Sequence, residues 1–148
     1  MGKFFLSLLF VLLLIINGCY DSGGYDKQVE AEAISDDPYL QSYLQKSIFT
    51  FNDILDRYGK RPILYKPIRI RYANLVPPVK GAAFDNYILI DESVKYWTSS
   101  DIDKIMLHEV AHIWLRNMDH KGDPHPSQAF GIDFKKEIPW WVCQSCSK

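Results

Sequence analysis

The sequence has no excess of positive charge and no apolar run long enough to cross a bilayer comfortably. It contains 17 Lys and Arg against 18 Asp and Glu, for a net charge of −1. Charges of both signs are interspersed, so the sequence has no cluster of basic residues of the kind that binds nucleic acid. We therefore expect no nucleic-acid partner. The longest apolar run, Phe4–Ile16, has 13 residues, of which only Ser7 is polar. Its length is that of a signal-peptide core rather than a transmembrane helix.

The N-terminus has the features of an export signal. Lys3 precedes the apolar run, which ends in the segment Ile16-Asn17-Gly18-Cys19. This segment resembles a bacterial lipobox, so residues 1–18 are predicted to be a lipoprotein signal peptide and Cys19 the lipidated residue. Acyl chains on Cys19 would hold the protein on a membrane of the cell envelope, at its periplasmic or extracellular face. The alternative is ordinary signal cleavage near Gly18, which would leave Cys19 as a plain thiol.

Cysteine is scarce, with 3 in the whole chain. If Cys19 carries lipid, Cys143 and Cys146 remain as a CxxC pair. An exported compartment permits a disulfide between them, and we expect a disulfide or a structurally minor thiol pair over the alternative of half a zinc ribbon.

The polar and acidic segment 19–36 is predicted to be a flexible tether, and residues 37–148 a single domain. Asp37-Pro38 can begin an amphipathic helix of about twenty residues that Gly59 would end. Alternating Ile and Arg from Ile68 predict a half-buried strand, and Tyr87–Asp91 predicts a second one. The expected fold class is α+β, with an N-terminal helix, a small antiparallel or mixed sheet, and a further helix that Ser99 or Ser100 could cap.

That further helix contains the most informative motif of the chain, HEVAH at residues 108–112. His108 and His112 are four residues apart, so their imidazoles project from one face of a helix, one turn apart. This spacing suits two ligands of a tetrahedral zinc ion, and Glu109 lies beside them to accept the proton of a water. The motif predicts a zinc site with Glu109 as general base.

A catalytic zinc ion usually has three protein ligands and one open position. The residues alone leave the third ligand undecided, because several side chains beyond the helix could supply it. The candidates are His120, His125, Asp119, Asp123 and Glu137.

The stretch from residue 38 to 146 resembles the SprT-like zincin metallopeptidases. In that family an HExxH helix is followed, after a short loop, by a histidine that begins an H-G-x-x-F-like element. Here His125 follows His112 by thirteen residues and begins the segment His125-Pro-Ser-Gln-Ala-Phe130. The resemblance implies a minimal zincin-like domain with His108, His112 and His125 as zinc ligands. It also implies that Ala82, Ala83 and Phe84 lie in an edge strand that pairs with substrate, the alternative being a plain loop.

The chain departs from the family pattern in three places. Pro126 replaces the family's glycine, Phe130 stands one residue late, and no second CxxC follows Cys146.

The pattern HExxHxxGxxH, which is typical of another zinc peptidase family, the metzincins, is absent. Arg116 and Met118 stand near the positions of its glycine and its last histidine. Members of the SprT-like family act inside cells on DNA-associated proteins, whereas this chain carries an export signal, so the resemblance implies the zinc peptidase core alone.

The expected function is therefore a membrane-anchored zinc metalloendopeptidase acting on protein or peptide substrates. Two alternatives remain open. The domain could bind zinc without turnover, as a surface lipoprotein that serves as a scaffold or binding module. Otherwise the two histidines of the motif could belong to an ordinary core helix without metal. The sequence gives neither the substrate nor the oligomeric state.

Overall fold

The computed structural model of the protein describes residues 31–63, 66–116 and 125–141. Within these ranges the chain forms two long helices, a four-stranded mixed sheet and a small C-terminal hairpin followed by one helical turn. The expected α+β fold class is confirmed. None of the described helices combines the length and apolar character that crossing a membrane requires.

Helix α1 spans Pro38–Arg57, as the capping signal predicted. The Asp37 carboxylate accepts hydrogen bonds from the backbone N–H groups of Tyr39 and Leu40, at 2.9 and 3.1 Å. Pro38 occupies the first turn, where its missing N–H costs no helical hydrogen bond. The apolar face of the helix is fully buried at Leu40, Leu44, Ile48, Phe51 and Leu55.

The main sheet has the strand order β1-β2-β4-β3. Strands β1 (Ala33–Ile34), β2 (Ile68–Ala73) and β4 (Tyr87–Asp91) are parallel, and β3 (Gly81–Phe84) pairs antiparallel with β4. The sheet is therefore mixed, with β1 and β3 at opposite edges. Its inner face is buried against the helices through the apolar side chains of Ile68, Ile70, Ala83, Ile88 and Ile90.

Helix α2 spans Ser99–Leu115 and carries the HEVAH motif. It follows a 3-10 turn at Glu92–Tyr96. Its N-cap is Thr98, whose hydroxyl accepts from the Asp101 N–H at 3.2 Å, so the prediction of Ser99 or Ser100 as the cap was wrong by at least one residue. Helix α2 packs against α1 and beneath β3, which places the motif beside the β3 edge of the sheet.

The C-terminal part consists of strands β5 (Gln128–Ala129) and β6 (Ile132–Asp133), which form an antiparallel hairpin, and helix α3 (Phe134–Glu137). Phe134, Ile138 and Trp141 are buried in the same core as the two long helices. This part of the chain thus folds back onto helix α2.

The folded body begins earlier than the predicted boundary at residue 37. Ala31 and Ala33 are buried, and residues 33–34 form β1. The Gln45 side chain fixes this segment, because its amide oxygen accepts from the Ala33 N–H at 2.9 Å and its amide nitrogen donates to the Ala31 carbonyl at 3.3 Å. The tether predicted for residues 19–36 therefore includes, at its C-terminal end, residues that belong to the sheet. The sequence did not predict this strand, because it is only two residues long and lies in a segment of mainly polar residues.

Candidate metal centre

Three histidines converge at one point beside helix α2. The Nε2 atoms of His108 and His112 are 3.1 Å apart, and the Nε2 atom of His125 is 3.0 Å from that of His108 and 3.1 Å from that of His112. His112 and His125 are buried and His108 is partly buried. These three side chains lie close enough together to bind one metal ion.

The spacing of the nitrogens fits a metal ion better than mutual hydrogen bonding. Each Nε2 offers a single hydrogen or a single lone pair in the plane of its ring, so three nitrogens in a triangle cannot all be satisfied by one another. One cation at the centre can accept all three lone pairs. A tetrahedral zinc site with Zn–N bonds of about 2.0–2.1 Å separates its nitrogens by about 3.3 Å, close to the separations found here.

The helix positions two of the ligands and a separate segment supplies the third. His108 and His112 lie one turn apart on α2, so their relative position is set by the helical repeat. His125 lies just before the β5–β6 hairpin and reaches the same point from outside the helix. Of the third-ligand candidates, the structure brings His125 to the pair.

The other predicted third ligands do not join this group in the described residues. Glu137 forms an ion pair with Arg57 and accepts a hydrogen bond from the Tyr58 hydroxyl. Its carboxylate therefore binds two side chains at the C-terminal end of helix α1. Asp119, His120 and Asp123 lie outside the described residues, as do Cys19, Cys143 and Cys146.

Glu109 is buried between helix α2 and the edge strand, with 3% of its surface exposed. Its Oε2 atom has no hydrogen-bond partner among the residues that the structure describes. Burial raises the pKa of the Glu109 carboxyl to about 8, because removal from water disfavours the charged form. A buried carboxyl of this kind is poised to exchange a proton near neutral pH.

Strand β3 can approach Glu109 only because residue 81 is glycine. A Cβ atom placed on Gly81 would lie 2.8 Å from Cδ and 3.0 Å from Cγ of Glu109, nearer than such atoms approach in real proteins. The sequence predicted the segment Gly81–Phe84 as the possible edge strand, but it did not predict that Gly81 lies against Glu109.

The backbone register of β3 shows which of its groups point away from β4, its one neighbouring strand among the described residues. Gly81 is opposite Ile90, and the Asp91 N–H donates to the Lys80 carbonyl at 2.9 Å. Gly81 and Ala83 are therefore at the positions that do not hydrogen-bond to β4, and their N–H and C=O groups point away from the sheet. Ala82 and Phe84 direct theirs towards β4. The predicted strand is present, and the residues whose backbone groups point away from β4 are Gly81 and Ala83.

A buried carboxylate fixes the segment that leads into β3. Asp91, at the end of β4, accepts hydrogen bonds from the Ser93 hydroxyl and N–H, from Lys80 Nζ and from the Leu75 N–H. The Ser93 hydroxyl and the Lys80 ammonium hold the pKa of Asp91 well below its usual range. This cluster fixes the chain immediately before Gly81, and with it the start of the edge strand.

Replacing Gly81 by alanine should destabilise the protein by about 1–3 kcal/mol, the usual cost of overpacking a well-packed site. The clash is with the end of the Glu109 side chain, which is buried and would have to shift to make room. Alanine also reduces the conformational entropy of the unfolded chain, which would stabilise the variant by about 0.4–1 kcal/mol. This gain is smaller than the free-energy cost expected from the clash. Urea denaturation measures the difference. The control is Ala82→Val, which adds bulk on the opposite face of the same strand and should change stability less; a Gly81→Ala variant as stable as the native protein would contradict the tight approach.

The chain matches no protein-family model, and no curated protein or solved structure was found to be similar to it. The function of the protein is therefore inferred from the site itself.

Proposed function

We propose that the protein is a zinc-dependent peptidase of the SprT-like zincin kind. The observation that carries this proposal is the convergence of three histidine Nε2 atoms beside a buried glutamate that contacts the edge strand of the sheet. His108, His112 and His125 would hold the zinc ion. When bound there, zinc would lower the pKa of a coordinated water and polarise the scissile carbonyl group.

Glu109 would act as the general base. In the absence of a cation its carboxyl is largely protonated at neutral pH, because burial raises its pKa to about 8. A positive charge close by favours the carboxylate form, so the pKa of Glu109 would fall when the site is filled. The carboxylate would then accept a proton from the attacking water and deliver it to the leaving amine.

Strand β3 would position the substrate. An extended peptide can add to an exposed sheet edge through main-chain hydrogen bonds, independently of its side chains. The outward N–H and C=O groups of Gly81 and Ala83 would make these bonds, and Gly81 lies directly against Glu109. A peptide bound there would be aligned beside the base.

The purified protein should contain about one zinc ion per chain, by elemental analysis, and should hydrolyse casein or members of a peptide library. A zinc chelator should abolish hydrolysis, and added zinc should restore it. Absence of bound metal would refute the proposal and leave the histidines as part of an ordinary helix. Bound zinc without hydrolysis of any peptide would instead support the alternative of a zinc-binding surface protein that acts as a scaffold.

The membrane location proposed for either function rests on lipidation of Cys19, which mass spectrometry of the mature N-terminus would detect.

A further inference from the structure

One aromatic side chain packs against all three histidines. The centroid of the Trp141 ring lies 5.1 Å from that of His108, 4.9 Å from that of His112 and 4.9 Å from that of His125. Trp141 is 2% exposed, and its ring is inclined at 31° to the His112 imidazole. The indole therefore forms one wall of the histidine cluster.

Trp141 is itself held at both of its ends. Its indole N–H donates to the Pro126 carbonyl at 2.9 Å, and Phe134 stacks on its ring with the centroids 5.0 Å apart. Pro126 directly follows His125, so the hydrogen bond fixes the backbone next to the third histidine. A buried indole N–H usually has such a partner, and this one connects the wall of the cluster to the segment that carries the third histidine.

The chain reverses direction immediately before Trp141. Trp140 has a φ of +56°, a left-handed conformation that is uncommon for a bulky residue. As a result Trp140 remains 48% exposed, against Trp97 and Lys104, while Trp141 points into the cluster. Strained backbone of this kind persists where the surrounding contacts impose it, and it occurs preferentially at functional sites.

We propose that Trp141 is a positioning residue of the metal centre, which holds His125 in place next to His108 and His112. The helix fixes two ligands relative to each other, but the third comes from a separate segment and its ordering costs conformational entropy. Packing of Trp141 on the three rings, together with its hydrogen bond to Pro126, would supply this order before metal binds. The inference rests on the proposed function for its metal ion, but not on peptide hydrolysis.

The test compares Trp141→Phe with Trp140→Phe in the full-length protein. Trp141→Phe keeps an aromatic ring but removes the N–H that reaches Pro126. Its zinc affinity, measured by competition with a chromophoric chelator, should fall about 10–100-fold, the usual effect of removing an outer-shell partner of a metal ligand. Trp140→Phe makes the same chemical change at the adjacent, exposed residue and should leave the affinity unchanged. Far-UV circular dichroism and urea denaturation check that both variants fold.

Cobalt(II) provides a readout that loss of stability alone would not change. The visible absorption of bound cobalt depends on the ligand geometry, so its bands should shift in Trp141→Phe and not in Trp140→Phe. Cobalt should also quench the emission of Trp141, which can be observed by itself in a variant in which Trp97, Trp114 and Trp140 are replaced by phenylalanine. The quenching experiment remains informative even if Trp141→Phe does not fold, because it requires only variants that retain Trp141.

The outcomes separate the two proposals. Native zinc affinity and an unchanged cobalt spectrum in Trp141→Phe would overturn the role of Trp141 while leaving the metal site intact. Absence of quenching in the cobalt-loaded variant that retains Trp141 as its one tryptophan would overturn it as well. If the native protein binds neither zinc nor cobalt, the proposed function fails and the positioning role fails with it.

Discussion

Replacing Glu109 by glutamine should lower kcat by about 10²–10⁴-fold, the usual contribution of a general base, while zinc remains bound. Glutamine has nearly the same shape as glutamate, but its amide cannot accept the proton of the attacking water. The fold should tolerate the change, because the Glu109 carboxyl is 3% exposed and burial already favours its neutral form. The measurements are zinc content by elemental analysis and the rate of peptide hydrolysis at saturating substrate.

Glu92→Gln is the matched control for this experiment. Glu92 lies in the 3-10 turn before helix α2 and pairs with Lys95 at the surface, so the same substitution there should leave the rate unchanged. Undiminished hydrolysis by Glu109→Gln would rule out the assigned role of Glu109, whatever the metal content of the variant.

Replacing His125 by alanine should weaken zinc binding by more than about 100-fold, beyond the effect expected for an outer-shell residue. Two histidines on helix α2 would remain, and two ligands do not make a catalytic zinc site. Hydrolysis should be lost together with the metal. Competition titration against a chelator measures the affinity, and activity at a high zinc concentration shows whether excess metal can compensate.

His120→Ala is the matched control, since His120 was the other histidine considered for the third ligand. It should retain native zinc affinity. The assignment of His125 would be refuted if His125→Ala bound zinc as tightly as the native protein while His120→Ala lost it. If both variants lost zinc, a site with four protein ligands would be indicated, and the scaffold alternative would gain support.

The sequence predicted those parts of the molecule that depend on neighbours along the chain. Asp37-Pro38 begins helix α1, and the alternation of Ile and Arg from Ile68 marks β2. The HEVAH spacing placed two imidazoles on one helical face because the helical repeat is fixed. Such signals involve residues a few positions apart, so a single sequence is enough to recognise them.

The contacts that complete the site join residues far apart in the chain, and these the sequence did not show. Nothing local in the segment around Gly81 indicates that a Cβ atom there would collide with Glu109. Likewise, nothing local in the segment around Trp141 indicates that its ring packs on the three histidines. His125 was proposed through the family resemblance, because its spacing alone did not separate it from His120.

The position of β1 determines the side from which the chain enters the folded body. Ala31 lies at the β1 edge of the sheet, held there by Gln45, whereas the outward-facing groups of β3 are at the other edge. With neighbouring strands about 4.8 Å apart, three steps separate the two edges by about 14 Å. If Cys19 carries lipid, the tether would therefore join the domain at the edge opposite β3. The point of attachment would then leave free the strand that is proposed to bind substrate.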